Sequence, residues 1–318
     1  MEAPLRQSHY CQSLDELSEA AIQMGWQSEL LQLETGNSLS TIDCWLTPRV
    51  VLCRFGFNSR VHQLATPLAG YRTFGLLSKP PTPTKFSGQI MDTSVLSYMD
   101  PVNGLDAVSE AGLDAMTLAL REDLLERTAT LHGLVHPDDK AWRWNEQTVF
   151  TAEVPVAVLR EILLGLLRGR DIDEVEIAAL EYELAFRVLA LSSDVITCAA
   201  PSASGRRRIR SKALEFIRAH QQRAVTVSEV CEAASCSIST LERTFREEFG
   251  VSPKQYIVRN RLAGAHRSLL NPQKAHSTIA HLASDWGFSH MSQFAADYRK
   301  LFGELPSQTQ RRALLLRA

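Results

Sequence analysis

The sequence predicts an α+β chain. A strand-rich N-terminal region leads through two amphipathic helices to an all-α C-terminal region. Three observations predict it. Short apolar runs between turn residues occupy roughly residues 27–117, a helical apolar period takes over from about Pro155 to Cys198, and a duplicated helical unit fills the last third. The 318 residues suit about two domains.

In the first region, runs such as Trp45–Leu46 and Val50–Cys53 alternate with turns at Thr35–Asn37, Pro80–Pro83 and Pro101–Gly104, the pattern of short β-strands. Trp26, Trp45, Phe55, Phe57, Phe74 and Phe86 are candidates to line a pocket or to fill the core. In the helical stretch, Val158, Ile162, Leu163, Leu166 and Leu167 make one stripe, which Gly165, Gly169 and Asp171 are expected to break. Ile177, Leu180, Leu184, Val188 and Leu191 make a second. Two such helices suit a dimerisation or docking element as well as plain core. The stretch Ala199–Gly205, rich in small residues with Pro and Gly, reads as a linker leading into the basic run Arg206–Arg210. The expected division is therefore residues 1–152, a helical element 153–198, a linker 199–210 and a C-terminal domain 211–318.

Charge separates along these lines. Residues 206–318 hold 19 Lys and Arg against 9 Asp and Glu, inside a chain of formal net charge −2. A basic module on an acidic one points to a polyanionic partner for the basic part, or to two halves that neutralise each other. No run of about 18 apolar residues suggests a membrane span. The N-terminus lacks a signal peptide's apolar stretch, so a cytoplasmic location is expected. The six cysteines are scattered without a C-x-x-C pair and read as buried thiols.

In the duplication, Thr226–Cys231 and Thr278–Ala283 share one pattern, as do Ser237 and Ser289, and Phe245 and Tyr298. Thr226 and Glu229 form a T-x-x-E capping box, and Ser237 is placed to cap a second helix. On that helix Ile238, Leu241, Phe245 and Phe249 share one side, whereas Ser239, Thr240, Arg243, Arg246 and Glu247 share the other. A short helix, a tight turn and an amphipathic helix make a helix-turn-helix, whose outward face can enter a major groove. Arg243 is central on that face and suits a guanine edge; surface pairing of the arginines with Glu242 or Glu247 is the alternative. The second unit, Thr278–Phe302, turns at Gly287. It points Met291, Phe294, Tyr298, Leu301 and Phe302 inward and Ser292, Gln293, Ala296, Arg299 and Lys300 outward. Gln293 suits an adenine edge, and Arg299 and Lys300 suit phosphate. Between the units, Ser252–Pro253 starts a helix that should end near Leu270. Its length, roughly 27 Å, approaches the ~34 Å between major-groove faces one turn apart.

These residues resemble the AraC/XylS family. The resemblance is carried by Ser237–Phe249 with Gly250-Val-Ser-Pro-Lys-Gln-Tyr256, by Arg261-Leu-Ala-Gly-Ala-His266, and by Leu282-Ala-Ser-Asp-Trp-Gly-Phe288 through Phe302-Gly-Glu-Leu-Pro306. It covers about a third of the chain. The run Trp286–Phe294 looks nearest to the subgroup containing the ethanolamine operon regulator. Two positions depart from the pattern: Ser235 replaces the usual turn glycine, and Ala296 stands where some members carry a DNA-contacting arginine. Carried over by position, the family's contacts favour Ser239, Glu242 and Arg243 in the first unit.

The resemblance implies a transcription factor that binds double-stranded DNA, with RNA polymerase as a partner if it activates. It also implies an N-terminal cupin-like small β-barrel that senses a small-molecule effector, and a homodimer through that half. A regulator controlled instead by a protein partner or by abundance stays open. No enzyme motif, cofactor site or metal site is expected. Among the N-terminal histidines, His62 is isolated, and Gly133 and Pro137 interrupt any helix that would present His132 with His136.

Overall fold

The computed structural model describes residues 4–79, 84–86, 89–102, 104–134, 149–169, 172–193, 204–274 and 277–315. The chain divides into two compact units. One comprises Met1–Leu30, Leu39–Asn58 and Gln63–Ala200; the other comprises Leu31–Ser38, Ser59–His62 and Pro201–Ala318.

The described strands of the N-terminal part form two sheets, in which the closure of the expected barrel is not seen. The seven-stranded sheet runs β1 (Leu5–Cys11), β3 (Ser40–Leu46), β4 (Val50–Phe57), β11 (Asp114–Arg121), β6 (Tyr71–Leu77), β9 (Val95–Met99) and β12 (Val149–Thr151) in spatial order. The five-stranded sheet runs β2 (Gln27–Gln32), β5 (Val61–Thr66), β10 (Leu105–Ser109), β7 (Thr84–Phe86) and β8 (Gln89–Met91). Among the described strands neither order closes on itself, and β1 and β12 are the edges of the larger sheet.

Helix α1 (Leu14–Gln23) follows β1 and is capped by Ser13, whose side chain accepts from the Glu16 amide. Helices α2 (Glu122–His132), α3 (Glu153–Leu167) and α4 (Glu174–Ser193) cover one face of the large sheet. Strand β11 shows why the sequence there is apolar almost throughout. By the two-residue alternation, Met116, Leu118 and Leu120 face these helices while Thr117 faces the other way. Both faces are covered, so residues 115–120 are all buried. The core gathers Trp45, Val50, Leu52, Phe74 and Tyr98 from the sheet with Leu159, Leu163, Leu184 and Val188 from α3 and α4.

The two helices expected between 155 and 198 are α3 and α4, and α1 and α2 join them among the described residues of this unit. The sequence expectation for these helices needs three corrections. Helix α3 continues through Gly165, which is exposed with open space where a Cβ would sit. Its buried stripe is Val156, Leu159, Leu163, Leu164 and Leu166, and Val158 is 40% exposed. Residues 204–210, assigned to a linker, form the first turns of α5 (Ser204–Ala219). Helix α4 buries Ile177, Leu184, Val188 and Leu191 as expected, with Leu180 packed beside them. It also carries the fully buried Glu181, which accepts from Arg49 Nε at 2.7 Å and pairs with Thr47, fixing the β3–β4 turn. Trp45 and Phe74 are core; the side chain of Phe86, like the whole of His136, lies outside the described residues.

The C-terminal part is all α: α5, α6 (Val227–Ala234), α7 (Ile238–Phe249), α8 (Pro253–Leu270), α9 (Ile279–Asp285), α10 (Met291–Phe302) and α11 (Pro306–Leu315). Among the described residues, no helix is long and apolar enough to cross a membrane.

Candidate nucleic-acid interface

The duplication read from the sequence is present in three dimensions. Thr226 and Thr278 are equivalent N-caps, accepting from the Glu229 and His281 amides. Thr226 and Glu229 complete the capping box. Hydrogen bonds from the Thr226 amide and hydroxyl, then from Arg223, hold the Glu229 carboxyl at about 2. The turns that follow are equivalent too. Gly287 has φ 73°, and Ser235, 52 positions earlier, has φ 51° and ψ 51°. Ser235 is the sole non-glycine with positive φ among the described residues. A left-handed conformation at a residue with a Cβ costs about 1–2 kcal/mol. The tight exit from α6 imposes it, through the Ser235 amide on the Glu232 carbonyl and the Cys236 amide on the Cys231 carbonyl.

Helix α7 is capped by Ser237 and buries Leu241, Thr244, Phe245 and Phe249. Phe245 and Phe249 pack on Tyr256 of α8 with ring centroids at 5.3 and 4.8 Å. One reading fails here: Ile238 is 55% exposed. It is the first residue of the helix, ahead of the turn where the packed stripe begins. Ser239, Arg243, Arg246 and Glu247 are exposed, whereas Thr240 is half-buried. The Ser239 and Thr240 hydroxyls lie 3.0 and 2.9 Å from the Ser237 hydroxyl, so both belong partly to the cap.

The acids of this helix are neutralised locally. Arg206 donates to Glu247 at 2.8 Å, Arg210 pairs with Glu248 at 3.5 Å, and Arg246 pairs with Glu242 at 3.4 Å. The pairing weighed for Arg246 thus occurs, with Glu242 one turn back. Arg243 is exposed and has no ion pair among the described residues. The basic run after the linker therefore braces α7, a role legible only once α5 is known to be a helix.

Helix α8 begins with a full capping box, Ser252 with Gln255, and Pro253 in the first turn. It runs 18 residues to Leu270 as predicted. Its second half anchors the second unit. Leu262, Ala265 and Leu269 pack with Leu282, Ala283, Trp286, Phe294, Tyr298 and Leu301. Trp286 donates from its indole to Ser268 at 2.9 Å, and its carbonyl accepts from Arg261 Nε at 2.7 Å. Arg261 is buried, lies 4.2 Å from the Phe288 ring centre, and has its pKa lowered by burial. It serves as an internal C-cap for α9. That explains the arginine of the Arg261–His266 motif, which the sequence marked without giving it a task. Gly264 faces the Trp286 ring, and a Cβ added there would fall closer to the ring than the 3.0 Å that a Cβ tolerates.

Helix α10 exposes Ser292, Gln293, Ala296, Arg299 and Lys300 and turns Phe294, Tyr298 and Leu301 inward, with Met291 and Phe302 half-buried. Its N-cap is His290, without a side-chain cap bond, so Ser289 does not repeat the role of Ser237. The Gln293 amide donates to Asp297 at 2.9 Å and must leave it to meet another partner. Behind α10, Tyr298 donates to Thr309 at 2.8 Å. Burial pushes the Glu304 carboxyl upward. Hydrogen bonds from His266, Thr309 and Arg312, with the charge of Arg312, outweigh it and hold the group at about 2. Glu304, in the Phe302–Pro306 motif, thus ties α8 and α11 to the end of α10.

Two short capped helices, each followed by a helix with a buried aromatic stripe and an exposed polar face, define a tandem helix-turn-helix unit. Residues 230–312 match a protein-family model described as a helix-turn-helix domain. The XylDLEGF operon transcriptional activator of Pseudomonas putida is 38% identical over 101 residues, 31% of either chain. The probable thc operon regulatory protein of Rhodococcus erythropolis is 30% identical over 99 residues, 31% of this chain and 30% of that one. A solved probable AraC family transcriptional regulator from Rhodopseudomonas palustris is 34% identical. It covers 33% of this chain and 96% of its own, with a TM-score of 0.31. The unit is a helix-turn-helix domain similar to that of AraC/XylS-type transcriptional activators. The alignments span about a third of the length of these curated relatives. The ethanolamine subgroup suggested by Trp286–Phe294 has no counterpart among these names.

Proposed function

We propose that this protein is a sequence-specific transcriptional regulator of the AraC/XylS kind, which reads duplex DNA with α7 and α10 and responds to a small molecule held by its N-terminal unit. The observation that carries the first part is the repeated unit on one 18-residue connecting helix. A rod of roughly 27 Å suits placing two helices in successive major grooves. In this reading Arg243, exposed and without an ion pair among the described residues, meets a base edge, with Ser239 beside it. Thr240, half-buried, and Arg246, held by Glu242, serve the backbone. Ser292 and Gln293 supply weaker base contacts, and Arg299 and Lys300 bind phosphate. Ala296 offers a methyl group alone, suited to apolar contact with a thymine.

The second part rests on the family resemblance together with an N-terminal unit whose two sheets enclose space. We read that unit as cupin-like in layout, with the sheets unclosed. The exposed Val154 and Val175, at the starts of α3 and α4, leave room for a homodimer contact there.

Selection of bound sites from random duplex DNA by the full chain tests the reading. One enriched motif spanning about two turns is expected. Enrichment of a single-turn motif would refute two-groove reading, and no enrichment with or without cell extract would refute sequence-specific recognition.

A further inference from the structure

We infer that the cavity between the two sheets of the N-terminal unit binds an uncharged, largely hydrocarbon molecule, oriented by one hydrogen-bonding group at Gln63. This rests on the effector reading above and names the chemistry of the effector.

The cavity has a volume of about 70 Å³, several times what a single water needs. Trp26, Phe55 and Phe57 supply aromatic wall, and Leu17, Ala21 and Met24 close the side where α1 lies. A second chamber of about 40 Å³ shares Phe55, Gln63, Leu105 and Thr117 with the first. Gln63 thus stands at the junction of a long apolar space.

The chemical class follows from what the walls lack. Neither chamber is lined by a Lys, Arg, His, Asp or Glu among the described residues. The nearest basic side chain on the wall strand β4 is Arg54, which alternates to the opposite face between Cys53 and Phe55. It is held there in a two-pronged pair with Asp114, at 2.8 and 2.7 Å. A carboxylate or ammonium group entering the cavity would leave water without a counter-ion, which is strongly unfavourable. The polar groups present are neutral: Ser28, Gln63 and Thr117 line the first chamber, and Ser97 the second. Gln63 is 5% exposed, and its amide donates to Ser109 at 3.1 Å, which fixes its orientation. Its carbonyl oxygen keeps the capacity to accept from a ligand hydroxyl or amide.

Matched probes on the full chain test this: octan-1-ol against octanoate, and benzyl alcohol against benzoate, at about pH 7.5, where both acids are ionised. Binding is read by tryptophan emission, since Trp26 lines the cavity, and by the rise in Tm. Saturable binding of an alcohol is expected, with its carboxylate partner weaker by on the order of a hundredfold. Ala21→Leu, which fills the cavity from α1, should abolish binding. Trp26→Phe should remove the emission change and keep the Tm shift, which guards against a filled variant that misfolds. Gln63→Leu should weaken the alcohols while leaving toluene unaffected. Carboxylates binding as well as the alcohols, in a manner lost on Ala21→Leu, overturn the class and leave the effector reading standing. If neither kind of probe binds, the assignment of this cavity is overturned. A low-molecular-weight cell extract then decides the wider reading: a Tm rise unaffected by Ala21→Leu places an effector elsewhere, and no rise removes the effector reading as well.

Discussion

Gly264→Ala isolates the contact that seats the second helix-turn-helix unit on α8. Glycine inside a helix is less favourable than alanine by about 1 kcal/mol, so at an open site this change stabilises. At 264 the new methyl would press into three atoms of the Trp286 ring, closer than any Cβ is found. The ring has little room to yield: its indole is bonded to Ser268 and its carbonyl to Arg261. Overpacking of this kind costs about 1–3 kcal/mol, and breaking the indole hydrogen bond adds about 1 kcal/mol. Set against the helix gain, the net is a loss of roughly 1–3 kcal/mol, or about 3–15 °C in the transition of the C-terminal unit. Differential scanning calorimetry of the full chain measures it. Gly165→Ala is the control, because Gly165 lies in helix α3 and a Cβ added there would meet nothing within 4 Å. It should gain roughly 1 kcal/mol. Opposite signs at the two glycines are the expected outcome; stabilisation by both substitutions would refute the close approach at Trp286.

Three further outcomes follow from the same unit. Arg243→Ala should reduce discrimination at one base position by about tenfold to a hundredfold, while Arg299→Ala should weaken all sequences alike and flatten the salt dependence; quantitative titrations at several salt concentrations separate them, and equal effects on every sequence would sink the division of roles. Ser235→Gly should raise stability by up to about 1 kcal/mol, the relief of a left-handed Cβ partly offset by a freer unfolded chain; an unchanged or lower Tm would contradict the strained turn. Glu304 is held at about 2 against an ordinary value of 4.5. Its folded pKa is depressed, so its contribution is full above about 4.5 and is lost as pH falls from there toward 2. Glu304→Gln should therefore lower stability at neutral pH and flatten the acid limb of the unfolding profile, and an unaltered limb would show that other carboxylates govern it.

Local chemistry made the C-terminal unit legible. Capping residues, a turn glycine and a proline at the first turn act within a few positions, so Thr226, Ser237, Ser252–Pro253 and Gly287 marked their helices from sequence, and α8 ends at Leu270 as its pattern predicts. What escaped notice depends on groups far apart in the chain. Arg206 and Arg210 look like a free basic run until Glu247 and Glu248 of α7 come within reach. Arg261 looks like a surface charge until it meets the Trp286 carbonyl. Thr240 and Ile238 were assigned by helical phase alone. The first sits closer to the core than its phase suggests, and the second has too few neighbours in the first turn to be buried.

The N-terminal unit was harder to read, because a strand buried on both faces loses its alternation. β11 is apolar whether it faces helices or cavity, and the helix α3 stripe shifts because the sheet it covers, rather than its own hydropathy, decides which side is buried. Yet the same ambiguity carries information. Within one stretch of β4, Cys53, Phe55 and Phe57 turn to the cavity and Arg54 turns away to Asp114. A sheet that needed only a core could fill that space with larger side chains. Leaving it open, with one oriented amide and no charged side chain among the described residues that line it, reduces packing and stability and is understandable where a neutral molecule completes the core. Binding would then stabilise the unit by mass action, so ligand occupancy and the order of the two sheets should rise together.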